Sequence, residues 1–320
     1  MIHEHIKIWD DRDDCILHTY ISVPAPSVKK DSRMPAMIVC PGGAYLMCSM
    51  DNEGEPVVRY FMNAGYQVFC LQYSVAEKAG GRNIQFPQQL LELGKAMLII
   101  KEHADEWGVD PDRISIVGFS AGANLCGLYA TRWHDDILSN YFKKDPSCFK
   151  PMAALLGYGL LDYEYQFKRE AAAGGNPLMV ASAINYLGTD SPSEERLKEV
   201  SPICHVNENT VPVFMFHAAN DNLVFVENSI HFAAELSKKN ILFELHIFQD
   251  GDHGFGTGIR LGAQAHRTDC ALGAHDWMEL SQKWLLKIAE PELAEISMTS
   301  PAFYEKYDVE IPEYMKEEFE

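Results

Sequence analysis

The sequence is poor in positive charge. Across 320 residues Lys and Arg number 27 against 46 Asp and Glu, a formal net charge of −19. Binding to a nucleic-acid backbone draws on Lys and Arg that displace counterions, so nucleic acid is not an expected partner. An anionic membrane surface is not expected either. Long apolar runs are missing: none approaches the roughly 18 residues of a membrane-crossing helix. The opening MIHEHIKIWDDRDD lacks the basic start and apolar stretch of a secretory leader. Eight cysteines are present, at 15, 40, 48, 70, 126, 148, 204 and 270, with no Cys-x-x-Cys pair. That leaves no zinc-ribbon or thioredoxin-type motif. Cys40, Cys70 and Cys126 lie in apolar runs and read as core thiols. A reducing cytoplasm fits these absences. Internal repeats and low-complexity tracts are absent too.

What remains is an ordinary globular composition, 47% hydrophobic and 23% charged, with enough chain for a sizeable core. Strand-like runs fall at Ile6–Trp9, Ile16–Val23, Ala36–Cys40, Gln67–Leu71, Ile114–Val117, Ala153–Leu156, Val213–His217 and Leu242–Phe248. Most of the later ones are continuously apolar, as in strands buried on both faces of a parallel sheet. The first two alternate and flank an acidic turn, which reads as an antiparallel hairpin at an edge. Helical patterns cover Pro56–Asn63, Pro87–Trp107, Ala121–Trp133, Val226–Lys239 and Leu272–Ile288, and Asp110-Pro111 marks a turn. Alternating strand and helix give an α/β class with helices on both faces of the sheet. Residues 1–290 are expected to form one domain, with 163–200 as a small cap over one sheet end. The acidic segment 291–320 is expected to be a tail, or an arm on the domain or on a second subunit, so a homo-oligomer stays open.

The stretch ISIVGFSAGANL, residues 114–125, is a short strand, a serine among small residues, and a helix start. That is the context of a nucleophile elbow at Ser120, although a capping serine in a strand-to-helix turn shares it. A serine hydroxyl needs a base to become a nucleophile. Of twelve histidines, His253 lies in the Gly-rich loop after the last expected strand, where active sites of open α/β sheets gather. His3 and His5 flank an N-terminal strand; His103, His231, His266 and His275 fall in helical stretches. His217 ends a strand near the right face but precedes the candidate acid. That acid, needed to orient the imidazole, is Asp221 in the loop after the seventh expected strand. Glu227 is the runner-up, and Asp250 and Asp252 read as loop residues. An oxyanion site needs two backbone N–H groups. Ala121 follows the serine, and Gly43 or Ala44 in PGGAY follows the third strand. Tyr45 is expected to border the substrate. The chain order Ser120, Asp221, His253 is that of α/β-hydrolases.

The stretches CPGGAY, EGEPVVRYF, DPDRISIVGFSAGANL, VPVFMFHAANDNLVFVENS and ELHIFQDGDHGFG resemble the α/β-hydrolase superfamily. Within it they resemble the esterases and acetyl esterases with a PGGGY-like loop, a group that includes acetylxylan esterases. The resemblance spans about residues 36–256. It implies an α/β-hydrolase fold with an eight-stranded, mostly parallel sheet, and Ser120, Asp221 and His253 as the triad. It implies no metal or other cofactor and a small-molecule ester substrate, an acetylated sugar foremost; a short acyl group is expected because Ala44 and Tyr45 should narrow that side of the site. Two departures stand out: Ala44 replaces the third glycine, and Tyr73 is followed by Ser74 where many relatives carry an arginine. Amidase or formamidase chemistry, a small peptidase of the prolyl oligopeptidase type, and a catalytically silent ligand receptor are the alternative readings.

Overall fold

The computed structural model describes residues 1–23, 33–75, 84–258, 273–291 and 304. Its strands are β1 (His5–Lys7), β2 (Ile16–Tyr20), β3 (Met34–Cys40), β4 (Gln67–Gln72), β5 (Val109–Phe119), β6 (Ala154–Gly157), β7 (Val213–Ala218) and β8 (Phe243–Phe248). They form one sheet in the order β1-β2-β4-β3-β5-β6-β7-β8. β1 and β2 form the antiparallel edge, β2 meets β4 antiparallel, and every later pairing is parallel. All eight expected strands are present.

Alternation along the central strands divides the core in two. Ala36, Ile38 and Cys40 of β3 join Ile116, Leu156 and Met215 on one face. There they pack against the helices Gln88–Glu102, Ala121–Arg132 and Glu227–Lys238 through Leu90, Met97, Leu125, Leu128, Phe232 and Leu236. Met37 and Val39 join Val117, Phe119, Phe214 and Phe216 on the other face. The helices Glu55–Asn63 and Trp277–Ala289 cover that side with Val57, Phe61, Trp277 and Trp284. Burial on both faces explains why these strands read as unbroken apolar runs. Among the described residues no helix is long and apolar enough to cross a membrane.

Two elements differ from expectation. The helix expected over Pro87–Trp107 stops at Glu102 and resumes as Ala104–Trp107. The break turns Trp107 onto Phe69, with ring centroids 5.3 Å apart. The Asp110-Pro111 turn lies inside β5. Pairing jumps from Met34↔Val109 to Ala36↔Ile114, so residues 110–113 bulge out. Asp110 stabilises the bulge by accepting from the Asp112 N–H (3.1 Å) and Arg113 Nε (2.8 Å).

Between β6 and β7 lie the helices Tyr163–Ala172, Pro177–Leu187 and Glu194–Glu199. Each starts on a capping side chain, Asp162, Asn176 and Ser193 respectively, that accepts a first-turn N–H. The segment 291–320 lies outside the described residues except at 291 and 304. Because β3, β5, β7 and β8 run parallel, the loops that follow them emerge along one edge of the sheet.

Candidate active site

Ser120 sits between β5 and the helix Ala121–Arg132 with φ 51° and ψ −117°. A non-glycine residue in that region is strained by about 1–3 kcal/mol and persists only where its surroundings enforce it. Its neighbours enforce it. A Cβ on Gly118 would lie 2.1 Å from the Gly122 carbonyl oxygen, and one on Gly122 would lie 2.1 Å from the Cys40 carbonyl oxygen. Strand, helix and the end of β3 therefore meet at van der Waals distance only because both positions lack side chains. The Ser120 N–H is fixed to the Gly157 carbonyl at 2.9 Å. A simple N-cap is not what this geometry provides, since the serine side chain makes no capping bond.

The Ser120 hydroxyl lies 2.8 Å from His253 Nε2, and His253 Nδ1 lies 2.8 Å from Asp221 Oδ2. A carboxylate oxygen only accepts, so Nδ1 carries the proton and Nε2 is left to accept from the serine. Asp221 is 4% exposed. Its other oxygen, Oδ1, accepts from the Leu223 and Val224 N–H groups, both at 2.9 Å. Burial pushes the Asp221 pKa up, but hydrogen bonds from His217 and His253 outweigh it and hold the carboxyl well below its ordinary range.

His217 is the residue that sequence reasoning set aside. It is fully buried, and its Nε2 lies 3.1 Å from Asp221 Oδ2 and 2.9 Å from the Val224 carbonyl. Both partners accept, so Nε2 donates; Nδ1 meets the Ser229 hydroxyl at 2.8 Å. The signal was its place four residues before Asp221, which returns its ring to the carboxylate across one turn of chain. The competing acids lie elsewhere. Glu227 pairs with Arg169. Asp252 accepts from the His253 N–H at 2.8 Å, and Asp250 is exposed.

After β3 the chain turns through Gly43 (φ 129°), Ala44 (φ 55°) and Tyr45 (φ 57°). A Cβ on Gly43 would lie 2.2 Å from the Met47 carbonyl oxygen, so glycine is required there. Ala44 adopts the left-handed conformation that glycine holds more cheaply. Among the described residues, the N–H groups of Gly43, Ala44 and Ala121 donate to no protein acceptor. Tyr45 differs from expectation. It is buried, its ring stacks on Tyr186 at 3.7 Å, and its hydroxyl donates to Asn124 Oδ1 at 2.7 Å. It braces the loop from beneath and does not border the cavity. Asn124, one turn along the helix from Ser120, also ties down the Leu160 and Val200 carbonyls.

A cavity of about 300 Å³ opens over Ser120 and His253. Its lining includes Gly43, Ala44, Leu46 and Met47 from the loop after β3, Asn52 and Glu53, and Leu178 and Leu223. Among the described residues no three His, Cys, Asp or Glu side chains converge as a metal-binding set would.

A family model described as BD-FAE matches residues 21–236, about two thirds of the chain, taking in β3 to β7 with Ser120 and Asp221. The chain belongs to the BD-FAE family. Outside that model, this BD-FAE chain is similar to endo-1,4-beta-xylanase B of Butyrivibrio fibrisolvens, 31% identical over 252 residues, covering 78% of the chain and 37% of that protein. It is similar to the acetylxylan esterase of Xylanibacter ruminicola, 26% identical over 226 residues, 70% of the chain and 41% of that protein. It thus spans less than half the length of either. Among solved structures it resembles MGS-M1, an alpha/beta hydrolase enzyme from a Medee basin deep-sea metagenome library. That match has a TM-score of 0.69 and 28% identity, over 90% of this chain and 98% of the other. The BD-FAE chain has the α/β-hydrolase fold.

Proposed function

We propose that this protein is a serine carboxylesterase acting on short-chain esters, acetyl esters foremost. The observation that carries the reading is the hydrogen-bonded line from the Ser120 hydroxyl through His253 to buried Asp221. Ser120 Oγ attacks the ester carbonyl as His253 Nε2 takes its proton, and Asp221 holds the imidazolium that forms. The carbonyl electron pair moves onto oxygen, where the unpaired N–H groups of Ala121 and of Gly43 or Ala44 receive it. Each such donor is worth about 3 kcal/mol in the transition state. His253 then gives its proton to the leaving alcohol, and water releases the acid from the acyl-enzyme by the same steps.

The short acyl preference rests on the cavity. About 300 Å³ is the lower end of the range for small-molecule sites, and both halves of the ester share it. Ala44 adds a methyl to its wall. Acetylated sugars suit the resemblance to the acetylxylan esterase. Glycoside cleavage, in the name of the Butyrivibrio relative, suits the cavity less. It needs two carboxylates about the scissile bond, and among the described residues Glu53 is the one carboxylate on the lining.

A p-nitrophenyl ester series tests the reading, with Ser120→Ala as control. Acetate is expected to give the highest kcat/KM, and the variant none above background. A preference for octanoate would overturn the acyl assignment, and full activity in Ser120→Ala the site itself.

A further inference from the structure

Glu53 is a buried carboxylate that the esterase steps above leave unused. It is 3% exposed and belongs to a short π-helical turn, Met50–Gly54, at the start of the helix Glu55–Asn63. Such turns recur at functional sites. Its two oxygens reach in different directions. Oε2 accepts the Gly42 N–H at 2.7 Å, one residue before the loop donors Gly43 and Ala44. Oε1 accepts the Tyr158 O–H at 2.7 Å, and the Tyr158 oxygen in turn accepts the Gly256 N–H at 2.9 Å. The Tyr158 ring stands edge-on to His253, with centroids 5.1 Å apart. The neighbouring Asn52 Nδ2 donates to the Gly254 carbonyl at 2.9 Å. Gly42 itself is pinched: a Cβ there would lie 2.7 Å from Glu53 Oε2 and 2.9 Å from Ser120 Cβ. One turn of chain thus grips both the loop that offers N–H groups and the loop that carries the histidine.

We propose that Glu53 is a positioning residue for the oxyanion site, fixing the 41–44 loop directly and the 253–256 loop through Tyr158, so that donors and base keep one geometry as the tetrahedral intermediate forms. Resting on the esterase reading, this assigns Glu53 no proton transfer: it lines the cavity, but its oxygens are engaged by the Gly42 N–H and the Tyr158 O–H. Glutamine is the informative replacement. Its amide keeps one acceptor oxygen, so either the Gly42 N–H or the Tyr158 O–H loses its partner while the volume stays the same.

The test measures 4-nitrophenyl acetate hydrolysis and inhibition by 1,1,1-trifluoro-2-butanone in wild type, Glu53→Gln, Tyr158→Phe and the double variant. The ketone carbon bonds to Ser120 Oγ, its carbonyl pair moves onto oxygen as an oxyanion, and the serine proton passes to His253. The ketone therefore reads the same donors without turnover. Glu53→Gln is expected to lower kcat about 10–100-fold, as displaced catalytic geometry does, with KM changed less than about threefold. The ketone Ki should rise by the factor lost in kcat/KM, because both report the tetrahedral state. Tyr158→Phe should lose about 3–10-fold with the same split, and the double variant should be little worse than Glu53→Gln.

Kinetics of both single variants within twofold of wild type would overturn the inference, as would a lower kcat with an unchanged ketone Ki. Should Glu53→Gln not fold, Tyr158→Phe decides alone by the same criteria. Wild-type protein without ester turnover, or Ser120→Ala with full turnover, would overturn the underlying function and this inference with it. An active wild type matched by the variants removes only the role given to Glu53.

Discussion

Replacing Asp221 by asparagine probes the proposed site most sharply, because the carboxylate has four donors around it. Two backbone N–H groups, from Leu223 and Val224, hold Oδ1. Two imidazoles, His253 and His217, share Oδ2. An asparagine keeps its oxygen on the backbone pair, and its NH2 then stands where Oδ2 was. Facing an NH2, His253 Nδ1 must accept, so the ring proton moves to Nε2 and confronts Ser120. The base is present but in the wrong tautomer, which lowers kcat by about 10⁴ in a triad of this kind, or about 5.5 kcal/mol at 1.36 per decade. His217 meets the same NH2 donor to donor, a conflict of about 1–3 kcal/mol. In a domain this large each kcal/mol moves Tm by about 2–4 °C. The pH dependence has a definite sign. The folded pKa of Asp221 is depressed, so its contribution is present above the unfolded value near 4 and is lost as pH falls through the folded value. The assays are p-nitrophenyl acetate turnover and thermal melts from neutral pH down toward pH 2. The Tm gap to wild type should be widest at neutral pH and close on acidification below about pH 4. More than a tenth of wild-type kcat in Asp221→Asn, or a gap that widens in acid, would refute the reasoning.

Four further outcomes follow from the structure. Gly122→Ala places a methyl 2.1 Å from the Cys40 carbonyl oxygen, so the helix must shift; a loss at the upper end of about 1–3 kcal/mol is expected in denaturant melts. Gly65→Ala, with nothing within 4 Å of the added atom, should lose about 1–2 kcal/mol from its left-handed backbone alone. Ala44→Gly relieves a φ of 55° and removes a methyl from the cavity wall; the ratio of butyrate to acetate kcat/KM should rise with Tm unchanged or higher. His217→Phe removes the buried donor to Asp221 and should lower kcat about tenfold through a loosened carboxylate, and His217→Gln, which keeps a donor, should recover part of it.

The sheet was legible because both its faces are buried, which leaves Ala36–Cys40, Ile114–Val117 and Val213–His217 as apolar runs with few competing readings. Ser120 was legible for a related reason: the glycines on either side answer a steric demand that leaves letters in the sequence. Tyr45 was misplaced because adjacency to the Gly-Gly turn says where a residue sits and not where its ring points; stacking on Tyr186 decides that from a distant helix. Glu53 opens EGEPVVRYF, one of the stretches that carry the resemblance, but its role was not legible, since Gly42 and Tyr158, which it binds, are 11 and 105 positions away. The break at His103 escaped because the apolar period continues past it. After the break Trp107 packs on Phe69, a residue far away in the sequence.

The lining of the cavity includes Leu178, from a helix in the long excursion between β6 and β7. Ser120, Asp221 and His253 all hang on strand ends whose positions the sheet dictates. Leu178 hangs on no strand, and the same helix turns Val180 and Ile184 toward solvent. In the proposed esterase, substitutions along this one helix would change which ester is admitted and leave the residues on the strand ends in place.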